Sequence, residues 1–191
     1  MARETARRDE VAQAATDYVL EHGLVGLSLR PLAADLGTSD RMLLYHFDSK
    51  DDLVATVLRI SNDRAVSLVR SLTPSSDVRS AVLELWRAFT APQLDRCQRM
   101  YVEAAALGLF GREPYASVVR EANAGWRDAV AEYLVASGAP ADRAPRAVEL
   151  LDAAMMGFQL DRPLDPADPG QLQAVQDLAD AVASISSQGR A

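Results

Sequence analysis

A chain of 191 residues can bury a sizeable core, as one domain or two small ones. Its 49% hydrophobic and 25% charged residues are ordinary for a globular protein, and 6% aromatics beside abundant Ala and Leu favour helix over strand. The formal net charge of −7, with residues 1–60 holding seven basic side chains against ten acidic, excludes a nucleic-acid interface built on bulk positive charge.

From the N-terminus, MARETARRDE mixes acids with arginines and has no apolar run behind it, which is not the pattern of a secretory signal. Val11, Ala14, Ala15, Tyr18 and Val19 recur at helical spacing, and Gly23 stands where a left-handed C-cap belongs. Ser28 is a candidate cap for a second short helix that buries Leu29, Leu32, Ala33 and Leu36. Pro31 falls in its first turn, and Gly37 ends it. Ser39 caps a third helix to about Phe47, and Ser49-Lys50-Asp51-Asp52 is a capping signal before a long helix, Leu53 to about Leu72. After Thr73-Pro74, Ser75 or Ser76 is the candidate cap for Val78–Thr90. Further helices are expected from Pro92 to about Phe110, over Tyr115–Ser137 ahead of Gly138, and over Ala144–Leu160. Asp168-Pro169-Gly170-Gln171 then reads as the start of a last helix to about Ser186. The expectation is an all-α protein of about nine helices, with no repeats. A three-helix helix-turn-helix domain (residues 1–50) precedes a larger helical domain (residues 51–191).

Nowhere does an apolar run approach the ~18 residues of a membrane-spanning helix, so no membrane partner is expected. The single cysteine, Cys97, excludes an internal disulfide and fits a reducing cytoplasm. An enzyme fails on inventory. There are two histidines, one cysteine, no clustered metal-ligand spacing, no G-x-S-x-G, no phosphate loop and no nucleotide fingerprint. No cofactor is implied, and carboxylates such as Glu103, Glu121 and Glu149 read as solvated helix faces.

Two short helices joined by a glycine-containing turn, after a longer one, match a DNA-reading helix-turn-helix. Leu43 and Phe47, at i and i+4, would anchor the third helix and leave Asp40, Arg41, Leu44 and Tyr45 outward. The segments Leu27-Ser28-Leu29-Arg30-Pro31-Leu32-Ala33, Leu36-Gly37-Thr38-Ser39 and Leu43-Leu44-Tyr45-His46-Phe47-Asp48-Ser49-Lys50-Asp51-Asp52-Leu53 closely resemble the N-terminal region of TetR-family (tetracycline-repressor-like) transcriptional regulators. The resemblance covers about residues 10–54. It implies phosphate contacts from Ser39, Tyr45, His46 and Lys50, whose hydroxyl, imidazole and ammonium groups all donate to phosphate oxygens. Ser28 is grouped with them, Thr38 lies at the turn, and Asp40, Arg41 and Leu44 fall at base-reading positions. Lys50 is the only lysine against nineteen arginines. Two positions depart from the family pattern: Leu44 replaces a usual aromatic and Arg41 a frequent glycine. Leucine can meet a thymine methyl and arginine can bind guanine bidentately.

The resemblance further implies a double-stranded DNA operator, an unidentified small-molecule effector, and a homodimer through the last two helices. Trp86, Phe89, Met100, Tyr101, Phe110, Trp126, Met155 and Phe158 are the candidate ligand-contacting side chains, or equally plain core. The expected function is a ligand-responsive regulator, most simply a repressor. The alternative is a small-molecule carrier or interaction protein whose N-terminal domain is degenerate.

Overall fold

The computed structural model of the chain describes residues 2–164 and 169–187. Among these residues it holds nine α-helices and no strand, as the periodicity implied: α1 Ala2–His22, α2 Leu29–Asp35, α3 Asp40–His46, α4 Lys50–Arg70, α5 Val78–Thr90, α6 Pro92–Leu109, α7 Tyr115–Ala136, α8 Ala144–Asp161 and α9 Pro169–Ser187. No described helix is long and apolar enough to cross a membrane.

Two compact units emerge. One takes the chain through Arg64 together with Arg96–Ala122, and the other takes Ala65–Asp95 together with the chain from Asn123 on. In the first unit α1, α2, α3 and the start of α4 close over a core containing Leu24, Leu32, Leu43, Phe47, Leu53 and Val54. Met100 and Ala104 of α6 and Val118 of α7 belong to the same cluster. Leu43 and Phe47, like Met100 and Ala104, recur at i and i+4, so one stripe of the helix turns inward while Leu44 and Tyr45 of α3 stay exposed. The second unit is organised by α9, which packs on α5 and α8. Val175, Leu178, Ala179 and Val182 of α9, with Leu151 and Met155 of α8, are buried in it.

Helix ends follow local chemistry. Gly23 leaves α1 with φ +86°, a left-handed conformation that suits a residue without Cβ, and its N–H bonds the Val19 carbonyl at 2.9 Å. The α3 cap is as expected, with Ser39 Oγ accepting from Met42 N at 3.3 Å. Ser49 Oγ accepts from Asp52 N at 3.1 Å, and α4 starts at Lys50, three residues before the expected Leu53. Two expectations are corrected. Ser28 takes the extended N-cap backbone of α2, but its side chain makes no capping hydrogen bond. Neither Ser75 nor Ser76 caps α5; Asp77 does, accepting from Ser80 N at 2.8 Å. A carboxylate is the stronger acceptor for helix N–H groups, and the serines are engaged elsewhere. The Ser75 hydroxyl bonds that of Tyr133, while Ser76 donates to Asp77. The expected Asp168 cap of α9 lies outside the described residues.

Candidate nucleic-acid interface

The α3 helix is seven residues long and has too few internal hydrogen bonds to stand alone, so its position depends on packing. Leu43 and its C-cap Phe47, each 1% exposed, supply that packing. Arg8 of α1 reinforces it at the C-terminal end. Its guanidinium lies 5.0 Å from the Phe47 ring centroid, its Nε donates to the His46 carbonyl at 2.9 Å, and its Nη2 lies 3.3 Å from Asp52 of α4. One cation thus joins α1, the end of α3 and the start of α4.

The other face of α3 is open. Asp40, Arg41, Met42, Leu44 and Tyr45 are exposed, Leu44 at 44% and Tyr45 at 66%. Exposing leucine and tyrosine side by side on a short helix forgoes burial that the rest of the unit exploits, the pattern of a surface kept free for a partner. Thr38 and His46 line one groove of about 330 Å³ with Arg7 and Met42. The Tyr45 and His46 rings meet edge to face with centroids 5.4 Å apart. The Tyr45 hydroxyl donates to Glu4 Oε1 at 2.9 Å, and this bond to a carboxylate raises the phenol above its ordinary pKa. The Lys50 ammonium donates to the Leu27 carbonyl, the residue before Ser28. It retains two further protons for an anion. Ser28, Ser39 and Lys50 are all exposed.

The aromatic and methionine candidates separate into groups. In the second unit Trp86 meets Phe158 edge to face with centroids 5.7 Å apart, and Phe89 meets Trp126 likewise at 5.2 Å; Met155 is buried there as well. Met100 is core in the first unit, Tyr101 is partly buried, and Phe110 is 84% exposed at the end of α6. Two contributors were not singled out from the sequence. Glu103 is no solvated carboxylate: its Oε2 accepts from Leu24 N at 2.7 Å and Val25 N at 2.6 Å, tying α6 to the turn between α1 and α2. Nothing local signals a partner 79 residues away; only the need of that turn's N–H groups for acceptors hints at one. Arg8 was equally silent, because its contacts are made 38 and 44 residues along the chain. Glu121 pairs with Arg59, and Glu149 is exposed.

Residues 12–57, which run from the middle of α1 through α2 and α3 into α4, match the family described as bacterial regulatory proteins, tetR family. The chain is 29% identical to the HTH-type transcriptional regulator PksA of Bacillus subtilis, over 44% of this chain and 50% of that protein. It is 33% identical to the HTH-type transcriptional repressor Rv3405c of Mycobacterium tuberculosis, over 46% of this chain and 49% of that protein. It thus spans about half the length of the curated relatives it matches. The fold matches over nearly the full length. A transcriptional regulator from Rhodococcus sp. Rha1 aligns with TM-score 0.72 at 23% identity, covering 95% of this chain and 96% of that one. The multidrug binding protein EbrR, in complex with ethidium, aligns with TM-score 0.67 at 23% identity, covering 93% and 98%. Across this helix-turn-helix region the chain is similar to the tetR family of bacterial regulatory proteins.

Proposed function

We propose that the protein is a ligand-responsive transcriptional regulator, in the simplest case a repressor. On this reading it binds a near-palindromic operator as a homodimer, with residues 1–50 contacting DNA and residues 51–191 serving ligand binding and dimerisation. The observation that carries the reading is the two-faced α3, fastened by Leu43 and Phe47 and open at Arg41, Leu44 and Tyr45. Arg41 and Leu44 read base edges, with Asp40 beside them. Ser39, Tyr45, His46 and Lys50 hold phosphates, and Ser28, whose hydroxyl is not spent on capping, joins them. Thr38 borders the turn. The acidic chain obtains its DNA contact from this local placement, because phosphate binding depends on the cations within about a Debye length.

A dimer is needed because one short helix reads few bases, whereas two half-sites one DNA turn or a multiple apart give useful affinity. Exposed Leu150 and Leu160 of α8 and Leu172 of α9, with open space above Gly157, support an interface on the last two helices. The paired rings of Trp86, Phe158, Phe89 and Trp126 support a flat small molecule as effector. EbrR, of similar fold, binds ethidium. An effector that favours one position of α4, which opens at Lys50, alters the separation of the two recognition helices. Only such differential affinity shifts the populations.

Selection of bound fragments from random duplex DNA, repeated at two salt concentrations, tests the proposal. A regulator enriches a two-fold-related motif and its binding weakens steeply with salt. Recovery of no preferred sequence would refute it and favour the carrier alternative.

A further inference from the structure

Two of the groups proposed to hold phosphates take their position from the backbone at Leu27. Lys50 donates its ammonium to the Leu27 carbonyl, and Ser28 follows Leu27 directly. That backbone is closed into a turn: Leu27 N donates to the Leu24 carbonyl at 3.1 Å, and Gly26 has φ +82°, the left-handed conformation required at the third position of a type II turn. The turn is held from α6, outside the helix-turn-helix. Leu24 N and Val25 N both donate to Glu103 Oε2, at 2.7 and 2.6 Å. The peptide that gives the Val25 N–H to this carboxylate offers its other end, the Leu24 carbonyl, to Leu27 N. The negative charge on one end therefore strengthens the bond that closes the turn on the other. Glu103 itself has a fixed base. Met100 and Ala104, on either side of it along α6, are 1% and 0% exposed in the core that also takes Leu24 and Leu27. Its Oε1 lies over Gly23, where a Cβ would come within 3.3 Å. Every one of these residues belongs to the first unit.

Resting on the reading of the N-terminal helices as a DNA-binding domain, we propose that Glu103 is a positioning residue for phosphate binding: from α6 it fixes the Leu24–Leu27 turn, and so the carbonyl that holds the Lys50 ammonium. An ammonium held in this way keeps two protons for a phosphate and has little freedom left to lose when DNA arrives. Without the carboxylate, the Leu24 and Val25 N–H groups lose their acceptor, and the turn must reorient to find another. The Leu27 carbonyl moves with it, and Lys50 reverts to a flexible side chain. Charge alone predicts the opposite outcome. Glu103 is an anion in an acidic chain, so its deletion should strengthen the attraction for DNA. The two effects differ in sign, and the sign of the change in affinity decides between them.

The test uses the full chain and the duplex it selects, with affinity read by fluorescence anisotropy at a temperature where circular dichroism shows every variant folded. Glu103→Ala should bind roughly 2- to 10-fold more weakly per half-site, the cost of ordering one long side chain. Glu103→Gln keeps an acceptor oxygen for the turn and should recover most of that loss. In a Lys50→Ala background, Glu103→Ala should add about 2-fold or less, because the ammonium it positions is gone. Glu103→Asp, which keeps the charge and ends one methylene short of the turn, replaces Glu103→Ala if that variant does not fold. Native or tighter binding by Glu103→Ala overturns the proposal, as does a Glu103→Gln as weak as Glu103→Ala. A loss that persists undiminished in the Lys50→Ala background overturns it too, since a merely structural role would weaken both backgrounds alike. A native chain that selects no duplex refutes the DNA-binding reading, and this proposal with it, before any variant is compared.

Discussion

Removal of the Glu103 carboxylate gives the sharpest structural test. Two backbone N–H groups, of Leu24 and Val25, converge on its Oε2 at 2.7 and 2.6 Å. Leu24 is 2% exposed, so without Glu103 its N–H is left buried and unpaired, whereas exposed Val25 can turn to water. A charge-assisted hydrogen bond contributes about 1.5–3 kcal/mol and one open to solvent about 1 kcal/mol or less, so Glu103→Ala should destabilise by about 3 kcal/mol. For a chain of this size that is a drop of about 9 °C in melting temperature, read by circular dichroism at 222 nm. Glu103→Gln keeps an acceptor oxygen without the charge and should lose about half as much. Two glycines give an internal control. Gly23 and Gly26 both have left-handed φ, +86° and +82°, but a Cβ on Gly23 would lie 3.3 Å from the Glu103 carboxylate while one on Gly26 meets nothing within 4 Å. Gly23→Ala should therefore destabilise more than Gly26→Ala, and the excess should shrink in the Glu103→Ala background. A melting temperature of Glu103→Ala within 2 °C of the native chain (about 0.7 kcal/mol) would refute the reasoning.

Lys50→Ala should weaken binding to all duplexes alike and reduce the salt slope by about one, whereas Arg41→Ala should relax preference at one base pair per half-site; fluorescence anisotropy with a mutated operator series separates them. Equal losses on every sequence would remove Arg41 from base reading. Glu4→Gln withdraws a carboxylate that holds the Tyr45 hydroxyl on the proposed DNA face, and should tighten operator binding roughly 2- to 5-fold at low salt, less at high salt. Unchanged affinity at low salt would separate Glu4 from the interface. Asp77 is held below the ordinary carboxylate range, first by the Ser80 N–H and then by the Ser76 and Ser80 hydroxyls. A depressed folded-state pKa stabilises the fold above the unfolded value, and the stabilisation is lost as pH falls through the folded one. The melting-temperature deficit of Asp77→Ala should accordingly hold from pH 7 to 5 and shrink below about pH 4; a deficit independent of pH would contradict the capping role.

Helix order, the capped turn before α3 and the two-faced character of α3 were legible in the sequence. Each rests on interactions between residues three or four apart: the Leu43–Phe47 pair, Ser39 with Met42, and Gly23 closing α1. The caps of α2 and α5 were misread for a reason that is also local. Ser28, Ser75, Ser76 and Asp77 are all competent caps, and the choice at α5 turned on partners elsewhere, such as the Tyr133 hydroxyl for that of Ser75.

What the sequence determined by itself was therefore the set of helices and the identity of the surface that α3 keeps free, because periodicity and capping act within one or two turns of backbone. What only the tertiary structure decided was which distant groups meet. Glu103 serves a turn 79 residues away, and Arg8 reaches the end of α3 and the start of α4. The aromatic candidates divide between two units, and the Gln159 amide is sealed without a hydrogen-bond partner among the described residues. A buried donor must find an acceptor, but which one it finds depends on how the helices pack, and no local pattern of residues encodes that.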